Sequence, residues 1–206
     1  LALVLEAFIP EKFIFCACFV YVLLLAVQLL AAHKEFKFSQ MATAVFCAIY
    51  VPLSLMTILK VRAEEYGFWL MWIALGGAWV TDSFAYFSGR LFGKHKLCPL
   101  ISPKKTVEGS VGGSLFTVIG GIVYGIILHN AKGIPVNFAA LAAISLICAG
   151  VSQIGDLTAS VIKREHGIKD YGKIMPGHGG FMDRFDRTLF VAPAVYIFNM
   201  IFTIFG

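Results

Sequence analysis

The chain has 206 residues, of which 59% are hydrophobic and only 14% charged. Soluble domains run at about 45–50% apolar and about 25% charged, so a soluble fold is excluded and a single all-α polytopic membrane domain over residues 1–206 is expected. The net charge of +5 is concentrated in two loops between apolar spans, which fits anionic headgroups or phosphates and no nucleic acid.

In chain order, residues 1–9 are already apolar and begin with Leu. They read as the tail of an earlier span, so further N-terminal spans are expected ahead of this chain. The segment is too short for a signal peptide and has no basic start. A spanning helix needs about 20 mostly apolar residues. Six stretches meet that length: 13–32, 40–59, 68–87, 111–128, 137–157 and 188–205. Helices are expected because each spanning segment must satisfy its own backbone hydrogen bonds. Alternation puts residues 33–38, 88–110 and 158–187 on one side, and these hold most of the Lys and Arg. The positive-inside rule makes that side cytoplasmic. Cys16, Cys18, Cys47, Cys98 and Cys148 form no CxxC pair and read as structural thiols. Gly109 with Gly113 and Gly121 with Gly125 are spaced for close helix–helix contact.

Three segments can carry chemistry. Asp82 lies inside the third apolar stretch, where a carboxylate is costly unless paired, solvated or bound to a cation. The competing reading pairs it with Arg90 or a loop lysine. Residues 88–110 carry Arg90, Lys94, Lys96, Lys104 and Lys105 against the single acid Glu108. Pro99 and Pro103 forbid one continuous helix there, Gly89 and Gly93 are expected to turn the backbone, and the lysines offer ammonium groups to phosphate. The third segment, 152–187, dominates the chain. It holds six of the 17 Lys+Arg and five of the 12 Asp+Glu, beside the turn Pro176-Gly177-His178-Gly179-Gly180.

Within that segment Ser152, Asp156 and Ser160 fall at i, i+4 and i+8, on one face of a continuing helix. Lys163 and Arg164 follow within a turn. Asp156 and Asp183 bracket a loop that leaves and re-enters the membrane. Hard oxygen ligands among many cations describe a site for Mg²⁺ and a polyphosphate. A web of loop salt bridges is the bland alternative. His178, alone between glycines, suits phosphate hydrogen bonding at least as well as proton transfer.

The run Ser160-Val-Ile-Lys163-Arg164, four residues, Lys169-Asp170, then Pro176-Gly-His-Gly-Gly180-Phe-Met-Asp183-Arg184-Phe-Asp186 resembles the signature of the CDP-diacylglycerol synthases (phosphatidate cytidylyltransferases). No position from Ser160 to Asp186 departs from it. Asp82, Gly89-Arg90, Phe92-Gly93-Lys94, Ser102-Pro-Lys104-Lys105-Thr106 and Glu108-Gly109 are similar to the family's other cytoplasmic segments. The motifs cover residues 79–187, and topology covers the rest. The resemblance implies Mg²⁺-dependent transfer of CMP from CTP to phosphatidic acid within the bilayer, giving CDP-diacylglycerol and pyrophosphate for phospholipid biosynthesis. It implies Asp156 and Asp183 as metal ligands, with a monovalent cation such as K⁺ nearby. Lys163, Arg164, Lys169, Asp170, Arg184 and Asp186 complete the expected catalytic set. Asp82, Arg90, Lys94, Ser102, Lys104, Lys105, Ser160, Gly177, His178, Gly179 and Gly180 are the expected substrate and phosphate contacts. A homodimer and a bacterial inner-membrane location are further expectations. The rivals are an enzyme acting on another lipid phosphate, a polyprenol or phytol kinase, and a transporter, which would show inverted repeats.

Overall fold

The computed structural model describes residues 11–32, 37–168, 171–172 and 185–206, with side chains from Cys16 onward. It forms two compact units, Leu1–Lys60 and Val61–Gly206.

The first unit holds α1 (Glu11–Ala31), α2 (Phe38–Val45), a π-helical turn (Phe46–Tyr50) and all but the last three residues of α3 (Val51–Ala63). The widened turn sits just ahead of Pro52, which has no N–H to give the ladder; such bulges absorb a missing bond. Tyr21 donates its hydroxyl to the Ala44 carbonyl at 3.2 Å, tying α1 to α2. Phe19, Leu24 and Leu30 point outward, as side chains facing lipid do.

The second unit contains α4 (Gly67–Phe92), a hairpin of β1 (Lys96–Cys98) and β2 (Ser102–Thr106), α5 (Val107–Lys132), α6 (Phe138–Glu165) and α7 (Thr188–Ile201). Phe38–Ala63, Val107–Lys132 and Phe138–Glu165 are long and apolar enough to cross a membrane, and Cys16–Ala31 and Thr188–Ile201 are shorter apolar helices. The chain is thus an integral membrane protein whose described elements are helical apart from the one hairpin. Its core sits where α4, α5, α6 and α7 meet. Leu141 and Ile144 of α6 and Val191 and Val195 of α7 are fully buried there.

The α4–α5 seam is made of small residues. A Cβ on Gly113 would lie 2.7 Å from the Thr81 carbonyl, and one on Gly109 would lie 2.6 Å from that of Ala85. Gly121 and Gly125 do the same for α6, against Ser145 and Leu141. Thr81 and Thr117 share a 2.8 Å hydroxyl hydrogen bond across the seam. The glycine pairs expected to make close helix–helix contacts do so within the chain. Gly113→Val should force α4 and α5 apart and cost about 1–3 kcal/mol by overpacking. Thermal unfolding in detergent should show it as a lowered midpoint, and an unchanged midpoint would show that the seam is loose.

The loop expected over 88–110 begins later than its glycines suggest. Helix α4 runs through Gly89 to Phe92, so Asp82 lies about three turns before its end rather than just inside it. Gly89, Gly93 and Gly109 instead form a cradle: a Cβ on any of them would come within 2.9 Å of a Thr106 side-chain atom. Gly89 and Gly109 make room for a neighbour inside helices, while Gly93 both makes that room and ends α4. Thr106 then caps α5, its Oγ1 accepting from the Gly109 N–H at 3.1 Å.

Candidate active site

Four elements bring polar side chains to one end of the helix bundle. The last turns of α4 supply Asp82, Tyr86 and Arg90, and β2 supplies Lys104 and Lys105. The start of α5 adds Ser110, the second half of α6 adds Ser152, Gln153 and Asp156, and Arg187 stands at the N-cap of α7. Together they line a cavity of about 230 Å³.

The geometry centres on Asp156, whose side chain is only 13% exposed. Its Oδ1 accepts from Arg187 Nη2 at 2.9 Å, and its Oδ2 accepts from the Lys105 ammonium. The same Arg187 nitrogen lies 3.0 Å from Asp82 Oδ1. The two carboxylates therefore converge on a single cationic nitrogen. Burial, with the Arg187 guanidinium alongside, pulls the Lys105 ammonium down to about 8, leaving it mostly charged at neutral pH. The inner wall is closed by Gln153, which donates to the Ser110 carbonyl at 3.3 Å and to Ser114 Oγ at 3.2 Å, and accepts from the Ser110 hydroxyl.

The hairpin that presents Lys104 and Lys105 is held at its base. The His95 backbone N–H donates to the Glu108 carboxylate at 3.2 Å, and the His95 ring meets the same group at 2.6 Å. The Val107 N–H donates to the His95 carbonyl at 2.9 Å. These contacts tie the loop to the first turn of α5, which the Thr106 cap orients.

Of the residues expected from sequence, the structure gathers Asp82, Arg90, Lys104, Lys105 and Asp156 around one cavity, with Ser152 on its wall. Asp82 is paired, but with Arg187 rather than with Arg90, which donates to the Tyr86 hydroxyl at 3.2 Å. Ser160, one turn beyond Asp156 on α6, is not part of the cavity wall; neither are Lys94 and Ser102. Lys163 stands 5.1 Å over the Tyr171 ring, and Tyr171 donates to the Ala159 carbonyl at 3.2 Å. Arg164 is exposed near the end of α6. Asp186 is buried at 3% exposure, and its Oδ1 accepts from the Arg187 N–H at 2.7 Å. It thus fixes the backbone from which Arg187 reaches the carboxylates. Lys169, Asp170, Gly177, His178, Gly179, Gly180, Asp183 and Arg184 lie outside the described residues. Of the expected metal pair, Asp156 is therefore the one described.

Arg187 and Gln153 were not anticipated as site residues. Gln153 sits three residues before Asp156, a spacing that shares a helix face and could have flagged it. Arg187 gave a weaker signal, since nothing in the run Asp183-Arg184-Phe185-Asp186-Arg187 tells which arginine turns inward. The donor set fits a magnesium ion: two carboxylates on separate helices aim hard oxygens at one point already held by a cation.

Paired acids that converge on one point, with lysine and arginine around them at the end of a membrane helix bundle, suit the gathering of phosphate oxygens. The site thus stands at one end of a membrane-embedded helix bundle. The chain belongs to the cytidylyltransferase family, whose model matches residues 2–202. It is 36% identical over 183 residues to the phosphatidate cytidylyltransferase of Bacillus subtilis, covering 88% of this chain and 66% of that protein. It is 40% identical over 166 residues to the phosphatidate cytidylyltransferase of Staphylococcus saprophyticus, covering 81% of this chain and 62% of that one. The chain thus spans a little under two thirds of the length of these relatives.

Proposed function

We propose that the protein transfers CMP from CTP to phosphatidate, giving CDP-diacylglycerol and pyrophosphate. The observation that carries this reading is the convergence of Asp82, Asp156, Lys105 and Arg187 at one cavity, in a chain related to proteins named for that reaction. A phosphatidate phosphate oxygen attacks the α-phosphorus of CTP, a new P–O bond forms, and the bond to the β-phosphate oxygen breaks as pyrophosphate departs. The attacking oxygen is already anionic, so no general base is required. The chain's task is positioning and charge neutralisation, as in other phosphoryl transfers.

Asp156 and, from the resemblance, Asp183 would hold Mg²⁺, with Asp82 adding a further carboxylate near Asp156. Once bound, the metal supplies Lewis-acid neutralisation of the phosphate oxygens. A monovalent cation such as K⁺ belongs to the same proposal and rests on the resemblance alone. Lys104, Lys105 and Arg90 line the cavity and are placed to hold phosphate oxygens of CTP or of the lipid. The six apolar stretches cross the bilayer, and the basic connections put this end on the cytoplasmic face. The bacterial relatives point to the plasma membrane.

The test is transfer of α-labelled CTP in detergent micelles containing phosphatidate and Mg²⁺. Label should enter the lipid phase only when both are present. Label remaining wholly in the aqueous phase would overturn the reading and turn attention to another acceptor.

A further inference from the structure

If the two carboxylates form a cation site, as the proposed function holds, that site already has an occupant. Arg187 Nη2 lies 2.9 Å from Asp156 Oδ1 and 3.0 Å from Asp82 Oδ1, and the Lys105 ammonium takes the other oxygen of Asp156. We propose that Arg187 is a built-in competitor of the divalent cation. It neutralises Asp82 and Asp156 until a nucleotide triphosphate arrives to receive its guanidinium. The inference rests on the reading of these acids as metal ligands, and adds when and with what the metal binds.

Three observations carry it. First, Asp156 is largely buried and costly to leave unpaired, and the half-exposed Asp82 adds a like charge beside it, so a cation between them is favoured. Second, the described cavity wall holds four cations, Arg90, Lys104, Lys105 and Arg187, against two acids, Asp82 and Asp156. A bare divalent ion entering that surplus of positive charge is repelled, whereas a metal–triphosphate complex, which is net negative, is attracted. Third, Arg187 is fixed at its backbone, and its tip is held by the two carboxylates it would release. Its N–H is held by the buried Asp186, and its long side chain can swing from carboxylate to phosphate. A planar fork of donors matches both partners. The metal and the guanidinium thus exchange positions in one step of binding, and free metal gains little on its own.

Mn²⁺ serves as the probe, with its binding to the detergent-purified protein followed by electron paramagnetic resonance and Asp156→Asn as the blank for other sites. Without nucleotide the native protein should bind Mn²⁺ weakly. Arg187→Gln should tighten that binding by about tenfold and raise the KM for CTP. A merely structural arginine would not produce this pair of opposite shifts. Unchanged or weaker Mn²⁺ binding in the variant would overturn the proposal. Should Arg187→Gln fail to fold, phenylglyoxal labelling of Arg187 in the native protein, read by peptide mass, replaces it. Saturating Mn²⁺ should speed labelling severalfold, and CTP added with the metal should slow it again. Labelling indifferent to Mn²⁺ would overturn the exchange. Absence of any Mn²⁺ binding, with or without CTP, in native protein and variant alike would instead sink the metal reading and this proposal with it.

Discussion

Asp156→Asn is expected to lower turnover by about 10³-fold while the protein still inserts and folds. Asparagine keeps the volume and one acceptor oxygen but loses the charge on which both Lys105 and Arg187 converge. In a cavity of low exposure that charge organises everything else. Preorganised electrostatic groups of this kind are worth about 10²–10³ in rate each, and Asp156 is placed both to orient two cations and to ligate a metal. The fold should survive because Asp82 still neutralises Arg187, and the apolar core of α6 and α7 does not include Asp156. A moderately lower unfolding midpoint is expected, since Lys105 loses its carboxylate partner. Label transfer from CTP and thermal unfolding, measured on the same preparation, separate the two effects. Turnover within a few-fold of the parent would remove Asp156 from the chemistry.

Lys105→Gln should cost about 10²-fold in kcat/KM, whereas Lys163→Ala should cost less than about tenfold. The two lysines looked alike in sequence, each in a basic segment beside the membrane. The structure separates them by environment. Lys105 is held between the cavity and Asp156, half-desolvated, where a charged hydrogen bond to phosphate contributes about 1.5–3 kcal/mol. Lys163 is near the end of α6 with its ammonium over Tyr171, away from the cavity wall. Parallel kinetics with CTP as the varied substrate would decide it. Equal losses in the two variants would place the phosphate site nearer the end of α6.

How much of this was readable in advance differs from element to element. The six apolar stretches fall largely within helices, three of them long and apolar enough to cross a membrane, because a nonpolar solvent leaves the backbone no alternative. Ser152, Asp156 and Ser160 lie on one helix as their spacing requires, since helical spacing is local geometry, but only the first two line the cavity. Gly93 does end α4 as expected, but Gly89 was misjudged for the converse reason. Glycine is needed both where the chain turns and where another chain segment comes close, and only the position of Thr106 distinguishes the two. Likewise the hairpin of β1 and β2 came from a segment whose prolines spoke against one continuous helix without saying what replaced it.

Sequence by itself determined the class of molecule and the residue types at its working end: a membrane helix bundle with acids and cations collected in a few polar segments. Those properties follow from local composition and from periodicity along single helices. Only the tertiary structure decided who meets whom. Asp82, Lys105, Asp156 and Arg187 come from four elements far apart in the chain, and they meet because a seam of glycines lets α4 and α5 approach while Asp186 sets the start of α7. Charge attraction acts over a few ångströms without regard to sequence separation. Which of several similar arginines and lysines completes the site is therefore settled by packing.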